Sequence, residues 1–263
     1  MEKHQPSSTA KFVANGLWYV SNHPKLSVEV PVQMAEANRA MVSAINRGIF
    51  STQHPLGRAL LRVRASVMQT CSIPGFYLHF VVRKRCIESL VRDAIEKGAE
   101  QLVVIGAGFD TLSLRISSDF PEMTIIEIDH PATQQWKRDA IAGLNRSFEN
   151  IHLLPLDLVK ETMKDLLLRS GCYQPAKTSA FVAEGLLMYL TEKEVLEILE
   201  FIRDHSGSNS RFVFSYMEEK AAEDYQFKNA SGFVNLWLKE RKIYLGPRER
   251  ATRPFSSERW ICP

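Results

Sequence analysis

The chain has little of what marks several whole classes of protein. Its four cysteines, Cys71, Cys86, Cys172 and Cys262, stand far apart among 263 residues and form no C-x-x-C pair. That spacing speaks against a zinc site or a disulfide framework and for buried or half-buried free thiols. No stretch approaches the roughly 18 consecutive apolar residues of a membrane-spanning helix. The best run, near residues 181–190, is interrupted by Glu184. The N-terminal MEKHQPSSTA lacks the charged-then-apolar pattern of a secretion signal, so the sequence reads as a soluble, cytoplasmic protein without a membrane partner. Charge of one sign is also scarce. A net charge of +3 is too small to imply nucleic acid, and the basic stretch over 239–263, with seven Lys/Arg against three Glu, reads as a solvated tail. No H-E-x-x-H and no Asp/His cluster at ligand spacing points to a metal.

What is present is an ordinary globular composition, 45% hydrophobic and 24% charged, in a chain long enough for one large domain or a core with a smaller cap. The first ten residues are polar and read as frayed. Apolar residues at helical spacing predict a helix over 28–49, a loop over 51–57, a second helical region broken at Ile73-Pro74-Gly75, and a long helix over 77–97 closed by Lys97-Gly98. This third of the chain reads as entirely helical. Beyond Gly98 the rhythm changes to five short β-rich runs, 101–105, 124–128, 151–156, 178–183 and 211–216. Helical patterns over 110–117, 132–144, 158–169 and 192–203 separate them. Strands alternating with helices at this spacing predict a mostly parallel α/β sheet covered on both faces. Domain limits follow at 1–98 for the cap, 99–216 for the α/β core, and 217–263 for a lid helix (233–244) and tail.

In such sheets ligands sit at the carboxyl ends of the strands, and the first four runs end in Gly106, Asp129, Asp157 and Glu184. Val104-Ile105-Gly106-Ala107-Gly108-Phe109-Asp110-Thr111 is a strand, a tight G-x-G turn and a helix start, where free amides suit an anionic group. Alone it is also compatible with a purely structural turn. Thr111 occupies the position where a dinucleotide fingerprint wants a third Gly or Ala. Asp129 is placed to accept from ribose hydroxyls, with Glu127 on the same face as competitor. Asp157 is either an adenine acceptor or the N-cap of the following helix. Glu184, a lone carboxylate in an apolar run, needs backbone amides or a cation such as the sulfonium or amino group of S-adenosylmethionine. Of the run Arg83-Lys84-Arg85, Lys84 reads as solvated, while Arg83 follows Val81-Val82 and could reach over the sheet edge.

Taken together, these segments resemble the leucine carboxyl methyltransferase family. FYLHFVVRKRCIESL is similar to its aliphatic–Arg element before the first strand, and QLVVIGAGFDT to its QVVxLGAGFDT motif. IEIDHP is similar to FEVDhP, Leu156-Asp157-Leu158 to its D-L pair, and EGLLMYLT is matched letter for letter. The resemblance runs from about residue 76 to 216. It implies a class I methyltransferase (Rossmann-like) fold with an N-terminal helical cap. It also implies S-adenosylmethionine as cofactor: Arg83 on the methionine carboxylate, Gly106, Ala107 and Gly108 beneath the methionine, Asp129 on the ribose, Asp157 and Leu158 on the adenine, and Glu184 near the amino or sulfonium end. Only 47 residues follow Tyr216, so a shortened C-terminus with an exposed edge strand is expected.

The expected activity is O-methyl transfer to a carboxylate of a small molecule. An ionised carboxylate needs no general base at neutral pH, so none is assigned; a hydroxyl acceptor would turn attention to His130 or Tyr189. The alternatives are a cofactor-binding but inactive homologue, a protein C-terminal carboxyl methyltransferase, and a nicotinamide-dependent oxidoreductase. Thr111 and Glu184 count against the last.

Overall fold

The computed structural model describes residues 5–71, 75–144, 146–157 and 160–216. Four helices come first: α1 (Ser8–Ser21), α2 (Val32–Ile45), α3 (Pro55–Cys71) and α4 (Phe76–Glu96). Then β1 (Gln101–Ile105), α5 (Leu112–Asp119), β2 (Thr124–Asp129), α6 (Pro131–Ala142), β3 (Ile151–Pro155), α7 (Met163–Arg169), β4 (Ser179–Ala183), α8 (Glu192–Asp204) and β5 (Arg211–Phe214) alternate. The five strands form one sheet in the order β3-β2-β1-β4-β5, and every pairing is parallel. The expected Rossmann-like α/β arrangement is what the chain adopts.

Side-chain alternation along the strands feeds two core layers. Leu102 and Val104 of β1 join Ile87 and Val91 of α4 and Ile116 of α5 on one face. Val103 and Ile105 join Leu167 of α7 and Phe201 of α8 on the other. Strand order reverses between β1 and β4, so the loops after these two strands diverge and leave a crevice at the carboxyl edge.

Within the described residues, those from 7 onward correct the frayed-segment expectation. Ser7 and Ser8 open a helix: the Ser7 hydroxyl accepts from Ala10 N at 3.2 Å as an N-cap, and Ser7 N donates to Thr133 Oγ1 of α6 at 3.1 Å. Leu17, Trp18 and Val20 then bury the helix in the cap. A serine-rich start looks like a loop in composition, but here the serine satisfies an open helix end. The helix expected from residue 158 starts only at Met163, where the Thr162 hydroxyl accepts from Asp165 N. The N-cap reading of Asp157 therefore fails, and its carboxylate pairs with Lys160 at 3.1 Å. A capping box closes Thr191 onto Glu194 at the start of α8. Cys172 is a half-buried free thiol, as expected, whereas Cys86 is disulfide-bonded, which sequence spacing could not show. Leu158 and the lid and tail over 217–263 lie outside the described residues. Among the described residues no helix is long and apolar enough to cross a membrane, and no group of His, Cys, Asp and Glu could hold a metal.

Candidate active site

β1 delivers the chain into Gly106-Ala107-Gly108, where Gly106 (φ +68°) and Gly108 (φ +52°) adopt the left-handed conformation that disfavours a side chain. Space is short as well. A Cβ on Gly106 would stand 2.9 Å from Leu186 Cδ1, and one on Gly108 would stand 3.0 Å from Ala10 Cβ of α1. The turn is thus wedged between the loop after β4 and the first cap helix. Gly106 N and Ala107 N donate to Ile128 O at 2.8 and 3.2 Å, which ties the turn to the end of β2.

Asp129, at that end, accepts from Gly108 N through Oδ2 and from His130 N through Oδ1, both at 2.7 Å. Burial raises its pKa above the ordinary carboxylate value against the lowering effect of these amides. Glu127 has a different fate. It is fully buried and held by Lys137 Nζ of α6 at 2.6 Å and 2.8 Å, a structural ion pair inside the sheet–helix layer. Between the two carboxylates, only Asp129 reaches the loops. Leu156 N donates to Asp129 O at 2.8 Å, so Asp157, at the end of β3, follows directly beside this point.

The second half of the site is a cluster of four charges. Arg83 donates from Nε to Glu184 Oε1 at 2.9 Å, with Nη2 at 2.8 Å from the same oxygen. Lys84 Nζ stands 3.2 and 3.1 Å from the two Glu184 oxygens and 2.6 Å from Asp110 Oδ2. Asp110 Oδ1 also accepts from Thr111 N at 2.5 Å and Leu112 N at 3.0 Å, closing the N-terminus of α5. Gly185 (φ +62°) turns the chain after Glu184, and its N–H donates to Ser215 Oγ at 2.7 Å. Burial disfavours charge on both Lys84 and Asp110, but their mutual attraction outweighs it. Lys84 is held above its ordinary pKa with help from Glu184, and Asp110 well below the usual carboxylate range with help from Arg115.

The structure therefore gathers Arg83, Gly106, Ala107, Gly108, Asp129 and Glu184 around the carboxyl ends of β1, β2 and β4, with Asp157 at the end of β3. Lys84 corrects the solvated reading: its side chain is 6% exposed. The signal was there. Lys84 falls on the helical stripe Tyr77, Phe80, Val81, Ile87 and Val91 that α4 buries, and a lysine on such a stripe requires a carboxylate partner. Asp110 was likewise missed, although an acidic residue at a helix start following a glycine turn is a natural partner for amides. His130 Nδ1 accepts from Ala132 N at 3.3 Å as the N-cap of α6, which occupies one of its two nitrogens.

A positive and a negative group thus stand side by side, next to a glycine turn and a carboxylate at the loop end of β2. Comparison with known proteins identifies the family. YktD of Bacillus subtilis, provisionally named an S-adenosyl-L-methionine-dependent methyltransferase, is 31% identical over 140 residues, 53% of this chain and 45% of that protein. Rv3787c of Mycobacterium tuberculosis, provisionally named likewise, is 27% identical over 194 residues, 68% of this chain and 61% of that protein. The chain thus spans about half the length of the curated relatives it matches. A crystal structure from Thermobifida fusca, provisionally described as a methyltransferase, shares the fold with a TM-score of 0.50 at 18% identity, covering 76% of this chain and 71% of that one. The family pattern of leucine carboxyl methyltransferases matches residues 32–203, from the second cap helix through α8, and the chain belongs to that family.

Proposed function

We propose that the chain is an S-adenosylmethionine-dependent O-methyltransferase whose acceptor is a carboxylate of a small molecule. The observation that carries this reading is the Arg83–Glu184 pair at the mouth of β4. The methionine end of the cofactor is a zwitterion, and its carboxylate and ammonium present the same two charges that Arg83 and Glu184 now present to each other. Binding exchanges one ion pair for two, with Arg83 taking the carboxylate and Glu184 the cationic end. Lys84 remains on Glu184 and keeps it from following the ammonium out of place. Gly106, Ala107 and Gly108 form the floor under the methionine, Asp129 releases the Gly108 amide to accept from the ribose, and Asp157 and Leu158 border the adenine. The residues present fit the cofactor in charge.

The bound sulfonium supplies an activated methyl group and its own leaving group. The protein's task is alignment and exclusion of water. A carboxylate acceptor is ionised at neutral pH and asks for no proton transfer. This agrees with a site whose described carboxylates are all committed to cations or amides. The cap over 1–98 and the segment over 217–263 would shape the acceptor pocket around the core over 99–216.

Calorimetric titration with S-adenosylmethionine, S-adenosylhomocysteine and, as control, NADH tests the cofactor. Binding of the first two with none of the third is expected, and NADH binding would refute the reading. Transfer of radiolabelled methyl to a panel of carboxylic acids, with base-labile product, tests the acceptor. Label found only in base-stable products would refute the carboxylate.

A further inference from the structure

Between Glu36 and Glu88 the sequence holds no aspartate or glutamate, against seven arginines and one lysine. Arg83 and Lys84 are used in the charge cluster, while three others, Arg58, Arg62 and Arg64, stand exposed on α3. That helix has two apolar faces. Leu61 and Ala65 point inward and are buried against the other cap helices. Leu56, Leu60, Val63 and Val67 follow one another at steps of four, three and four residues, which makes a second stripe on the opposite side. Leu56 is 69%, Val63 62% and Val67 54% exposed, and Leu60 is half-buried.

At 100° per residue Arg62 bounds the exposed face that carries this stripe on one side and Arg64 on the other, while Arg58 lies on the opposite side of the helix. Arg58 Nη1 donates to Thr52 O at 3.0 Å, and the Arg64 guanidinium lies 5.5 Å from the Phe50 ring centroid. The Arg64–Phe50 contact ties the Gly48–Phe50 turn to α3, and Ile49 in that turn is 70% exposed. An aliphatic ridge rimmed by cations costs solubility and does nothing for the fold.

We propose that the outer face of α3, with Ile49, rests on an anionic lipid bilayer surface, its aliphatic stripe at the acyl boundary and its arginines on lipid phosphates. Charge complementarity favours this occupant, since the whole stretch between Glu36 and Glu88 offers no acidic residue to repel a negative surface. Composition favours it over an acidic protein. The stripe is purely aliphatic, without the Trp or Tyr anchors that fill pockets at protein interfaces. A helix lying in the interface plane needs only an apolar stripe flanked by Lys or Arg. The binding does not depend on the methyl-transfer reading.

The test is co-sedimentation of the full chain with vesicles of phosphatidylcholine alone and with about one third phosphatidylglycerol, alongside poly-glutamate pull-down. Binding to the anionic vesicles, weakened by salt, is expected. Arg62→Glu should weaken it more than tenfold, at roughly fivefold per unit charge near the surface. Val63→Ser with Val67→Ser should weaken it at least tenfold, because both side chains lose apolar burial. These positions are solvent-exposed, so circular dichroism should show unchanged folding, and Arg62→Lys should bind like the wild type. Equal partition onto the two vesicle types, or variants that bind as wild type, would overturn the proposal. Absence from vesicles with retention on poly-glutamate would overturn it in favour of an acidic protein partner.

Discussion

Replacing Lys84 by methionine removes one charge from the cluster and keeps the length and volume of the side chain. In the wild type, Lys84 faces Asp110 at 2.6 Å and Glu184 at 3.1 Å, with the three side chains 6%, 16% and 10% exposed. Removing one partner of a buried ion pair costs roughly 3–5 kcal/mol. The lower end applies here, because Glu184 keeps Arg83 and Asp110 keeps the Thr111 and Leu112 amides. About 3 kcal/mol in a chain of this size lowers the Tm by about 6–12 °C. The pH dependence is more diagnostic than the magnitude. Asp110 has a depressed pKa in the folded wild type, so the stability it contributes is present above its ordinary value of 3.8 and is lost as pH falls through the folded value. Lys84 is shifted up, so its contribution is present below 10.5 and is lost as pH rises through its folded value. The gap between wild type and Lys84→Met is therefore widest between about pH 5 and 9 and narrows at both ends. Urea unfolding followed by circular dichroism from about pH 2 to about pH 11 measures it, and Lys84→Met with Asp110→Asn should recover part of the loss. A gap below about 1 kcal/mol at pH 7 would place Lys84 among ordinary surface ion pairs and refute the argument. A pH-independent gap would show that packing, not charge, is what Lys84 provides.

Three further outcomes are expected. Arg83→Ala removes two charge-assisted donors from the methionine carboxylate and should weaken S-adenosylmethionine and S-adenosylhomocysteine alike by roughly 30- to 100-fold in calorimetry; unchanged affinity would sink that assignment. Gly106→Ala forces a side chain into φ +68° and against Leu186, so a loss of about 1–3 kcal/mol in unfolding free energy is expected together with weaker cofactor binding. Ser7→Ala deletes the N-cap of α1 at a cost of about 1 kcal/mol, and hydrogen exchange should show faster opening of residues 8–14 with the sheet unchanged.

Local sequence pattern reached far into this protein where neighbours along the chain decide the outcome. The strand–helix alternation from Gln101 to Phe214, the positive-φ glycine turn after β1 and the carboxylates Asp129 and Glu184 at strand ends are legible because periodicity and turn chemistry act within a few residues. So is the long helix α4, although the solvated reading of Lys84 missed that it lies on the buried stripe. What covers a buried face is set by partners far away in the chain. Lys84 meets Asp110 and Glu184 across 26 and 100 residues. Glu127 is removed from the site by Lys137 of the next helix. The polar N-terminus becomes the helix that stands over Gly108, fastened through Ser7 to Thr133 across 126 residues. Periodicity reports that a side chain turns inward. Only the packing of the elements decides whether it finds there a carboxylate, an amide or a hydrocarbon, because the low dielectric of the interior gives each charge its meaning from the nearest opposite charge.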